Sequence, residues 1–409
     1  MRAAMAGSEP RRVLVAVTGG IAAYKIPELV RVLRRAGHEV RCAMTPAGQR
    51  FVSPLVLQTL SGEPVRQSLF DPGEESQIDH IALADWAELV VVAPATADIL
   101  ARMAHGLADD LVSTLLLATR APILVAPAMN VNMWDHPATR ANMALLEERG
   151  VLRVGPESGD LACGWQGQGR MAEPEAIAAA AEAALTPRSM KDESVVVTAG
   201  GTVEPVDSVR HLANRSSGKM GFAIAAEAAR RGAQVTLVAG PTGLPTPFGV
   251  TRVDVETALE MRAAVFAALP DAGVVIKAAA VADFRPRDPR DRKIKKEDLG
   301  PEAGLSLELV RNPDILADVC AAEGERVVVG FAAESHDVVA AARRKIERKG
   351  CDLLVANDVS REDAGFDVDT NAVLFVWPGG ETEELPLMTK AEVASQLLDR
   401  VEKMRGGRG

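Results

Sequence analysis

The sequence predicts an α/β protein built from two doubly wound, Rossmann-like domains. Two apolar runs that end in glycine pairs, residues 13–20 and 195–201, are typical of buried parallel strands that lead into a helix. Each is followed by a predicted helix and then by a further strand, at residues 38–44 and 233–239. Alternating strands and helices favour parallel sheets covered on both faces, with ligands at the carboxyl ends of the strands.

Later parts of the chain repeat this alternation, and a linker divides it. Further strands are predicted at residues 89–93, 123–126, 274–280, 327–331 and 353–356. A chain of 409 residues is long enough for two domains. The polar, proline-containing residues 186–194 follow a predicted helix over 176–185 and indicate a linker. We therefore predict domains over residues 1–186 and 187–409.

Composition limits the partners and the compartment. The net charge of −10 disfavours nucleic acid as the main partner. The four cysteines lie too far apart in sequence for a zinc or redox motif, which favours reduced thiols in the cytoplasm. No run of about 18 apolar residues occurs, so we expect no membrane span, and residues 1–12 lack the apolar stretch of a signal peptide.

The first strand ends in a turn that could hold a phosphate. The backbone N–H groups of Gly19, Gly20 and Ile21 precede a predicted helix, where anions are favoured. The full G-x-G-x-x-G pattern is absent, and residues 44–46 occupy the place of the usual ribose-binding acid. A nicotinamide-dependent dehydrogenase is therefore disfavoured, and a mononucleotide is the better candidate.

Three other stretches of the N-terminal half are unusual for a plain core. Thr96 and Asn130 each follow a buried strand, which places them at the same rim of the sheet. Residues 159–171 contain four glycines around Cys163. We expect this segment to be irregular and long enough to serve as a lid.

These motifs carry a resemblance to a known family. They read Thr-Gly-Gly-Ile-Ala-Ala-Tyr-Lys (residues 18–25), Asp-His-Ile (79–81), Pro-Ala-Thr-Ala (94–97), Pro-Ala-Met-Asn-Val-Asn-Met (127–133) and Ala-Cys-Gly-Trp-Gln-Gly-Gln-Gly-Arg-Met (162–171). Together they resemble the phosphopantothenoylcysteine decarboxylases, which are FMN proteins of the flavin-containing cysteine decarboxylase family. The resemblance covers residues 11–185.

The resemblance implies a set of site residues and a reaction course. The residues expected to hold FMN are Gly19, Gly20, Ile21, Thr45, Pro94, Thr96 and Met129. Oxidation of the substrate to a thioaldehyde would give the departing CO₂ an electron sink, and the flavin supplies that redox step. Asn130 would hold the substrate carboxylate, and Cys163 would protonate the aminoenethiol. His80 matches the family's histidine, although it could simply satisfy a buried hydrogen bond.

The C-terminal half has its own cluster of cations near predicted strand and helix ends. Arg210, Arg215 and Lys219 precede or begin a predicted helix, which is a plausible anion site. Residues 277–283 are predicted to be a strand that ends in the carboxylate of Asp283. Further on come a lysine-rich loop at 293–296, a turn at a helix start at 312–315, and two lysines four residues apart on one helical face, Lys345 and Lys349.

These stretches resemble phosphopantothenate–cysteine ligase over residues ~195–400, a domain that typically follows the decarboxylase in bacteria. The resemblance implies that CTP activates 4′-phosphopantothenate as an acyl-cytidylate, which L-cysteine then attacks. Mg²⁺ is expected with the triphosphate. Lys293 would support the first step, and Asn214 and Arg210 would hold the activated carbonyl. The residues expected to contact CTP are Ala279, Asp283, Lys293, Asn312, Pro313, Asp314, Ile315, Phe331, Lys345 and Lys349.

Several alternatives stay open at this point. The lysine-rich loop could be merely solvated, and Asp283 could be a helix cap. The chain could be a decarboxylase with an inactive C-terminal domain, or a non-catalytic flavoprotein scaffold. No motif reads a base edge, so CTP rather than ATP follows from the resemblance alone. The resemblance also implies a homo-oligomer, with decarboxylase trimers and ligase dimers combined in a dodecamer, in which His80 could serve a neighbour's flavin.

Overall fold

The computed structural model describes residues 10–69, 79–160, 166–295, 304–334, 337–358 and 368–407. The chain forms two compact units, Met1–Pro187 and Arg188–Gly409. Each unit is built around its own large sheet, so each has its own rim of strand ends where a ligand can bind.

The first unit alternates strands with helices. Its strands are β1 (Arg12–Val17), β2 (Glu39–Met44), β3 (Leu89–Ala95), β4 (Ile123–Pro127), β5 (Leu152–Arg153), β6 (Glu157–Asp160) and β7 (Gln166–Arg170). Its helices are α1 (Ile26–Arg35), α2 (Pro54–Ser61), α3 (Asp79–Trp86), α4 (Ala97–His105), α5 (Leu111–Ala118), α6 (Val131–Asp135), α7 (Pro137–Glu148) and α8 (Pro174–Leu185). Short 3-10 helices span Ile21–Lys25 and Gly48–Arg50.

The main sheet of this unit is parallel and has the order β2-β1-β3-β4-β5. The two faces of β1 are buried in separate apolar cores: Val13 and Val15 lie in one, Leu14 and Ala16 in the other. Helices therefore cover both faces, as predicted for a doubly wound sheet. The strand that follows β1 in the chain, β2, lies on one side of β1, and β3 lies on the other side. The strand order therefore reverses at β1, and a ligand crevice is expected between the carboxyl ends of β1 and β3.

The second unit is larger. Its strands are β8 (Ser194–Ala199), β9 (Val203–Pro205), β10 (His211–Ala213), β11 (Gln234–Ala239), β12 (Val250–Asp254), β13 (Val274–Lys277), β14 (Phe284–Pro286), β15 (Leu309–Arg311), β16 (Val327–Glu334), β17 (Leu353–Asp358), β18 (Thr370–Asn371), β19 (Val373–Val376), β20 (Thr382–Glu384) and β21 (Met388–Thr389). Its helices are α9 (Lys219–Arg230), α10 (Ala258–Ala268), α11 (Ile315–Ala321), α12 (Val338–Lys349) and α13 (Lys390–Gly406), with a 3-10 helix at Leu269–Asp271.

The main sheet of the second unit has the order β12-β11-β8-β13-β16-β17-β19-β20. The first six strands in this order are parallel, and β19 and β20 continue the sheet in antiparallel pairing. Strand order reverses between β8 and β13, which puts a second ligand crevice at their carboxyl ends. No helix among the described ranges is both long and apolar enough to cross a membrane.

Two local predictions were wrong. Residues 277–283 are not a strand, because β13 ends at Lys277 and the next residues bond to the end of β8: Ala279 N donates to Thr198 Oγ1 (3.1 Å) and Ala280 N to Gly200 O (2.8 Å). The glycine-rich segment is not irregular where it is described, because β6 and β7 pair as an antiparallel hairpin. Gly167 (φ +147°) and Gly169 (φ +155°) take up conformations in that hairpin which only glycine adopts readily.

Candidate active sites

The first unit holds a cavity of about 800 Å³ at the carboxyl ends of β1 to β4. That volume suits a small molecule or cofactor. Most of the residues predicted from the resemblance to hold FMN line it, together with one predicted catalytic residue; they are Gly19, Gly20, Ile21, Thr45, Thr96, Met129 and Asn130. Pro94 does not line the cavity, but a Cβ added at Gly20 would lie 3.5 Å from its ring.

The glycine turn at the end of β1 leaves no room for a side chain. A Cβ at Gly19 would lie 2.4 Å from the Cβ of Ala47, a distance that real side chains do not reach. Gly20 then begins the 3-10 helix that leads into α1. Backbone N–H groups at such a turn favour anions, and phosphate binding here stays a prediction.

The cavity is largely neutral. Within the part of the chain that the structure describes, the cations of its lining are Lys25, Arg102 and Arg170, and each is already paired with a carboxylate. Lys25, although buried, lies 2.9 Å from Glu173, and Arg170 pairs with the same residue. A ligand here therefore binds through backbone groups and apolar walls rather than through spare positive charge. No role was predicted for Lys25, although it is the last residue of the motif at residues 18–25.

The rim of the cavity is built from two helix starts. Thr96 caps α4 by accepting a hydrogen bond from Ile99 N (3.3 Å). Asn130 caps α6, because its Oδ1 accepts from Asn132 N (2.8 Å). That bond orients the amide and leaves Nδ2 as its hydrogen-bond donor group.

The β6–β7 hairpin contacts this rim. Met129 N donates to Gly169 O (3.0 Å), and a Cβ at Gly169 would lie 2.3 Å from the carbonyl oxygen of Met129. Only glycine permits that approach. Cys163 lies between the two hairpin strands in sequence and outside the described residues.

His80 does not line this cavity. It lies on α3, and its Nδ1 is buried without a hydrogen-bond partner within the part of the chain that the structure describes.

The second unit holds a cavity of about 940 Å³ at the ends of β13 and β16 and at the starts of α9 and α11. Nearly all the residues predicted to contact CTP, and one predicted catalytic residue, line it; they are Asn214, Ala279, Asp283, Asn312, Pro313, Asp314, Ile315, Phe331, Lys345 and Lys349. The fold thus brings residues that lie more than a hundred positions apart in sequence, such as Asn214 and Lys349, to the wall of one cavity.

This second cavity is strongly cationic. Among the described residues, two carboxylates line it, those of Asp283 and Asp314, and the cations of its lining are Lys219, Lys277, Arg311, Lys345, Arg348, Lys349 and Lys390. Such a surplus of positive charge suits a ligand with several negative charges. Of the three residues near the α9 start that the sequence singled out, only Lys219 lines the cavity, and it also pairs with Asp369.

The loop before α11 is fixed by hydrogen bonds. Asn312 Nδ2 donates to Ala282 O (2.8 Å), and Asn312 Oδ1 accepts from Arg285 Nη1 (3.0 Å). Asp314 caps α11 and pairs with Lys349. Asp283 begins no helix, so the alternative that it is a helix cap was wrong; it lies in the loop between β13 and β14.

Arg210 and Lys293 lie outside the lining of this cavity. Arg210 pairs with Asp207, and its Nη2 donates to Ile294 O (2.7 Å). Asp207 Oδ2 in turn accepts from Ile294 N (3.1 Å). The buried Asp207 thereby fixes both Arg210 and the loop that carries the exposed Lys293. Asn214, by contrast, lines the cavity and donates to Val281 O (3.1 Å).

Several lining residues went unpredicted, among them Lys277 and Asn357. Lys277 ends the apolar strand β13, and burial, together with the nearby Lys345 and Lys349, lowers its pKa to about 8. Asn357, at the end of β17, has a buried Oδ1 without a hydrogen-bond partner among the described residues. For Lys277 a signal existed, since a cation at the end of a fully apolar strand is expensive unless it has a role.

Comparisons with known proteins agree with this division. Residues 2–186 match the family model described as flavoprotein, and residues 190–404 match the model of the DNA/pantothenate metabolism flavoprotein C-terminal domain. The coenzyme A biosynthesis bifunctional protein CoaBC of Escherichia coli (strain K12) is 51% identical over 96% of this chain and 96% of its own. That of Vibrio vulnificus (strain YJ016) is 47% identical over 97% of this chain and 98% of its own.

The two models define a two-domain protein, a flavoprotein followed by a pantothenate-metabolism domain. The chain belongs to the family of coenzyme A biosynthesis bifunctional proteins. Among solved structures, the C-terminal domain of a CoaBC protein is 38% identical, covers 54% of this chain and 99% of that chain, and has a TM-score of 0.46.

Proposed function

We propose that this enzyme performs two consecutive steps of coenzyme A biosynthesis. At the C-terminal cavity it joins L-cysteine to 4′-phosphopantothenate at the expense of CTP, and at the N-terminal cavity it decarboxylates the product, phosphopantothenoylcysteine, to 4′-phosphopantetheine with FMN. The observation that carries this proposal is the pair of cavities with opposite character, one neutral and bordered by glycines, the other strongly cationic. A flavin mononucleotide suits the first and a nucleoside triphosphate the second.

The N-terminal cavity fits FMN. Its volume of about 800 Å³ accommodates the group, and the turn at Gly19 to Ile21, which lines the cavity before a helix, is a place where a phosphate is favoured. Gly19 and Ile21 would bind that phosphate through their N–H groups, and Gly20, whose N–H donates to Thr18 O (3.1 Å), would line its site. The ring would lie against Met129, with the remaining contacts from Thr45 and Thr96, while Pro94 lies behind Gly20 and outside the lining.

In the decarboxylation, bound FMN supplies two-electron redox chemistry, and this chain's residues orient and protonate the substrate. Asn130 Nδ2 donates to the substrate carboxylate and fixes its direction before CO₂ leaves. Cys163 Sγ–H gives a proton to the aminoenethiol, because a thiol with a pKa near ~8.5 is a competent acid at neutral pH. His80, which lies outside the lining of its own chain's cavity, acts on the flavin site of a neighbouring copy.

In the ligation, the phosphopantothenate carboxylate attacks the α-phosphate of CTP and pyrophosphate leaves. The cysteine amine then attacks the acyl carbon of the acyl-cytidylate and CMP leaves. Lys293 offsets the charge that develops at the α-phosphate, and Asn214 and Arg210 hold the activated carbonyl in the second step. Lys345 and Lys349 bind the nucleotide.

Mg²⁺ accompanies the triphosphate. Among the described residues, no cluster of three or more His, Cys, Asp or Glu side chains is arranged to hold a metal ion. That is the usual situation for Mg²⁺ in nucleotide sites, where phosphate oxygens and water supply most ligands.

Removing the carboxylate that fixes the Lys293 loop should disable the ligase. We expect Asp207→Ala to lower kcat for pyrophosphate release by ~100-fold, because it releases both Arg210 and Ile294 and a displaced catalytic group costs about that much. Decarboxylation should be unchanged. Asp207→Asn keeps one acceptor oxygen, so its ligase rate should lie between those of the wild type and Asp207→Ala. Equal ligase rates in all three proteins would contradict the role of this loop.

We propose a homo-oligomer in which the rim of the FMN cavity is an interface. Ile21, Tyr24 and Met133 line that cavity and are 61%, 64% and 49% exposed, an apolar rim that a second copy of the chain would cover. Sedimentation should give a mass that is a multiple of the 43.2 kDa chain, and Tyr24→Glu should reduce it. A monomer that retains full decarboxylase activity would contradict the proposal.

A coupled assay tests both activities together. The FMN-loaded protein receives phosphopantothenate, L-cysteine, Mg²⁺ and either CTP or ATP, and pyrophosphate, CO₂ and phosphopantetheine are followed. We expect pyrophosphate with CTP and then CO₂, and no pyrophosphate when EDTA removes Mg²⁺. CO₂ only from added phosphopantothenoylcysteine would leave a decarboxylase with an inactive C-terminal domain. Neither product from a folded, flavin-loaded protein would indicate a non-catalytic scaffold.

A further inference from the structure

We infer that Lys277 is a further nucleotide-binding residue of the ligase site, and that its amine takes up a proton when the phosphate groups of the nucleotide enter. The inference rests on the proposed CTP-dependent ligation and adds to it a residue and a coupled protonation. The reasons lie in the position of Lys277, in the charges around it and in the missing partner of its amine.

The position of Lys277 directs its side chain into the cavity wall. On β13, Ile276 packs into one apolar core and Val275 into the other, so Lys277 projects to the same side as Val275, where α11 and α12 lie. Its neighbour in register on β16 is Gly330, which has no side chain. Lys277 lines the cavity at this point.

The charges around Lys277 are mostly of its own sign. Lys345 and Lys349 of α12 act on it as like charges, and Asp283 in the loop after β13 is the carboxylate that acts on it. Asp314, at the start of α11, is already paired with Lys349. Across the sheet, the Cys351 thiol approaches Gly330 and is neutral, since burial raises its pKa to about 11.

Within the described residues the Lys277 amine makes no ion pair or side-chain hydrogen bond. A partly buried cation without a partner is costly, and here burial and the two lysines bring its pKa from 10.5 to about 8. An anion bound beside it would reverse that cost. Polyphosphate supplies several negative charges to a group of lysines, whereas Asp283 supplies one.

The direction of the coupling follows from linkage. A pKa of about 8 leaves Lys277 about half protonated at pH 8 before nucleotide binds, and a bound phosphate raises that pKa, so binding draws in a proton. Below pH 7 the amine is charged before and after binding and no uptake occurs. Between pH 7 and 9 the affinity for nucleotide should therefore fall ~10-fold, as expected for one coupled proton.

The test is calorimetric binding of CTP alone, without phosphopantothenate or cysteine, at pH 8 in two buffers that differ in ionisation enthalpy. The phosphates of CTP are fully ionised at this pH. In the wild type, Lys277 should take up about half a proton from the buffer when CTP binds. Lys277→Met has a side chain of similar length but no amine, so it should lose that uptake and bind CTP more weakly at pH 7. Lys277→Arg stays charged and should bind with no uptake at this position.

The control is Lys349→Met, because burial also lowers the pKa of Lys349. Proton uptake that disappears in Lys349→Met but persists in Lys277→Met would overturn the inference. Equal CTP affinity of wild type and Lys277→Met at pH 7 would overturn it as well. The absence of any CTP binding by the wild type would instead contradict the ligase function, and the inference with it.

Discussion

Replacing Lys293 by glutamine is expected to lower kcat for pyrophosphate release from CTP by ~100- to 1000-fold, the usual effect of removing one group that offsets transition-state charge. Decarboxylation of added phosphopantothenoylcysteine should continue at the wild-type rate. The physical reason is that Lys293 is exposed yet sits beside Ile294, whose N–H and C=O are held by Asp207 and Arg210. Because its neighbour Ile294 is held in this way, the backbone that carries the Lys293 ammonium group has a fixed position.

Lys295→Gln is the matched control, since Lys295 is exposed on the same loop and carries the same charge. It should leave the ligase rate within about twofold of wild type. If both variants lost activity equally, the loop would act only through its overall positive charge, which is the solvated-loop alternative. Binding of CTP, measured separately, should change little in Lys293→Gln, because its effect is expected in kcat.

Replacing Cys163 by serine is expected to lower steady-state formation of phosphopantetheine by ~100- to 10,000-fold, the range for loss of a positioned general acid. A serine hydroxyl is a much weaker acid than a thiol. Because protonation follows decarboxylation, we expect one CO₂ per site to be released in a first turnover, after which the enzyme stops. Rapid-quench measurement of CO₂ against phosphopantetheine checks this, and ligation should proceed normally.

Cys320→Ser removes a half-buried thiol from the other unit and serves as the control. Burial raises the pKa of Cys320 to about 12, so it is a poor acid and its loss should spare both activities. Sustained CO₂ release by Cys163→Ser, with phosphopantetheine as the product, would contradict the proposed protonation.

Local patterns in the sequence were enough for the elements that position both sites. The apolar runs before Gly19 and before Gly200 are β1 and β8, and the turn at Asn312 does begin a helix with Asp314 as its cap. These features depend on residues close in sequence, where periodicity, capping and glycine turns act.

Features that depend on distant residues escaped prediction. Asp207 fixes Ile294 across 87 positions, and β13 stops at Lys277 because its continuation bonds to the loop after β8. The hairpin of β6 and β7 was missed because glycines at positive φ were taken as irregular backbone. In the first two cases the partner that decides the structure is far away in sequence, so a local pattern does not report it, whereas the hairpin is a local structure whose glycines concealed the strand pattern.

The anchoring of the Lys293 loop also sets how that loop behaves in acid. The Arg210 guanidinium, and then the N–H groups of Ile294, Val209 and Arg210, hold the pKa of Asp207 well below its usual 3.8, against the opposing effect of burial. Stabilisation from a carboxylate with a depressed pKa is complete above the unfolded value and is lost only as the pH falls through the folded one. Mild acidification, which protonates ordinary exposed carboxylates, therefore leaves Lys293 in place, and any loss of ligation in that range begins at other groups.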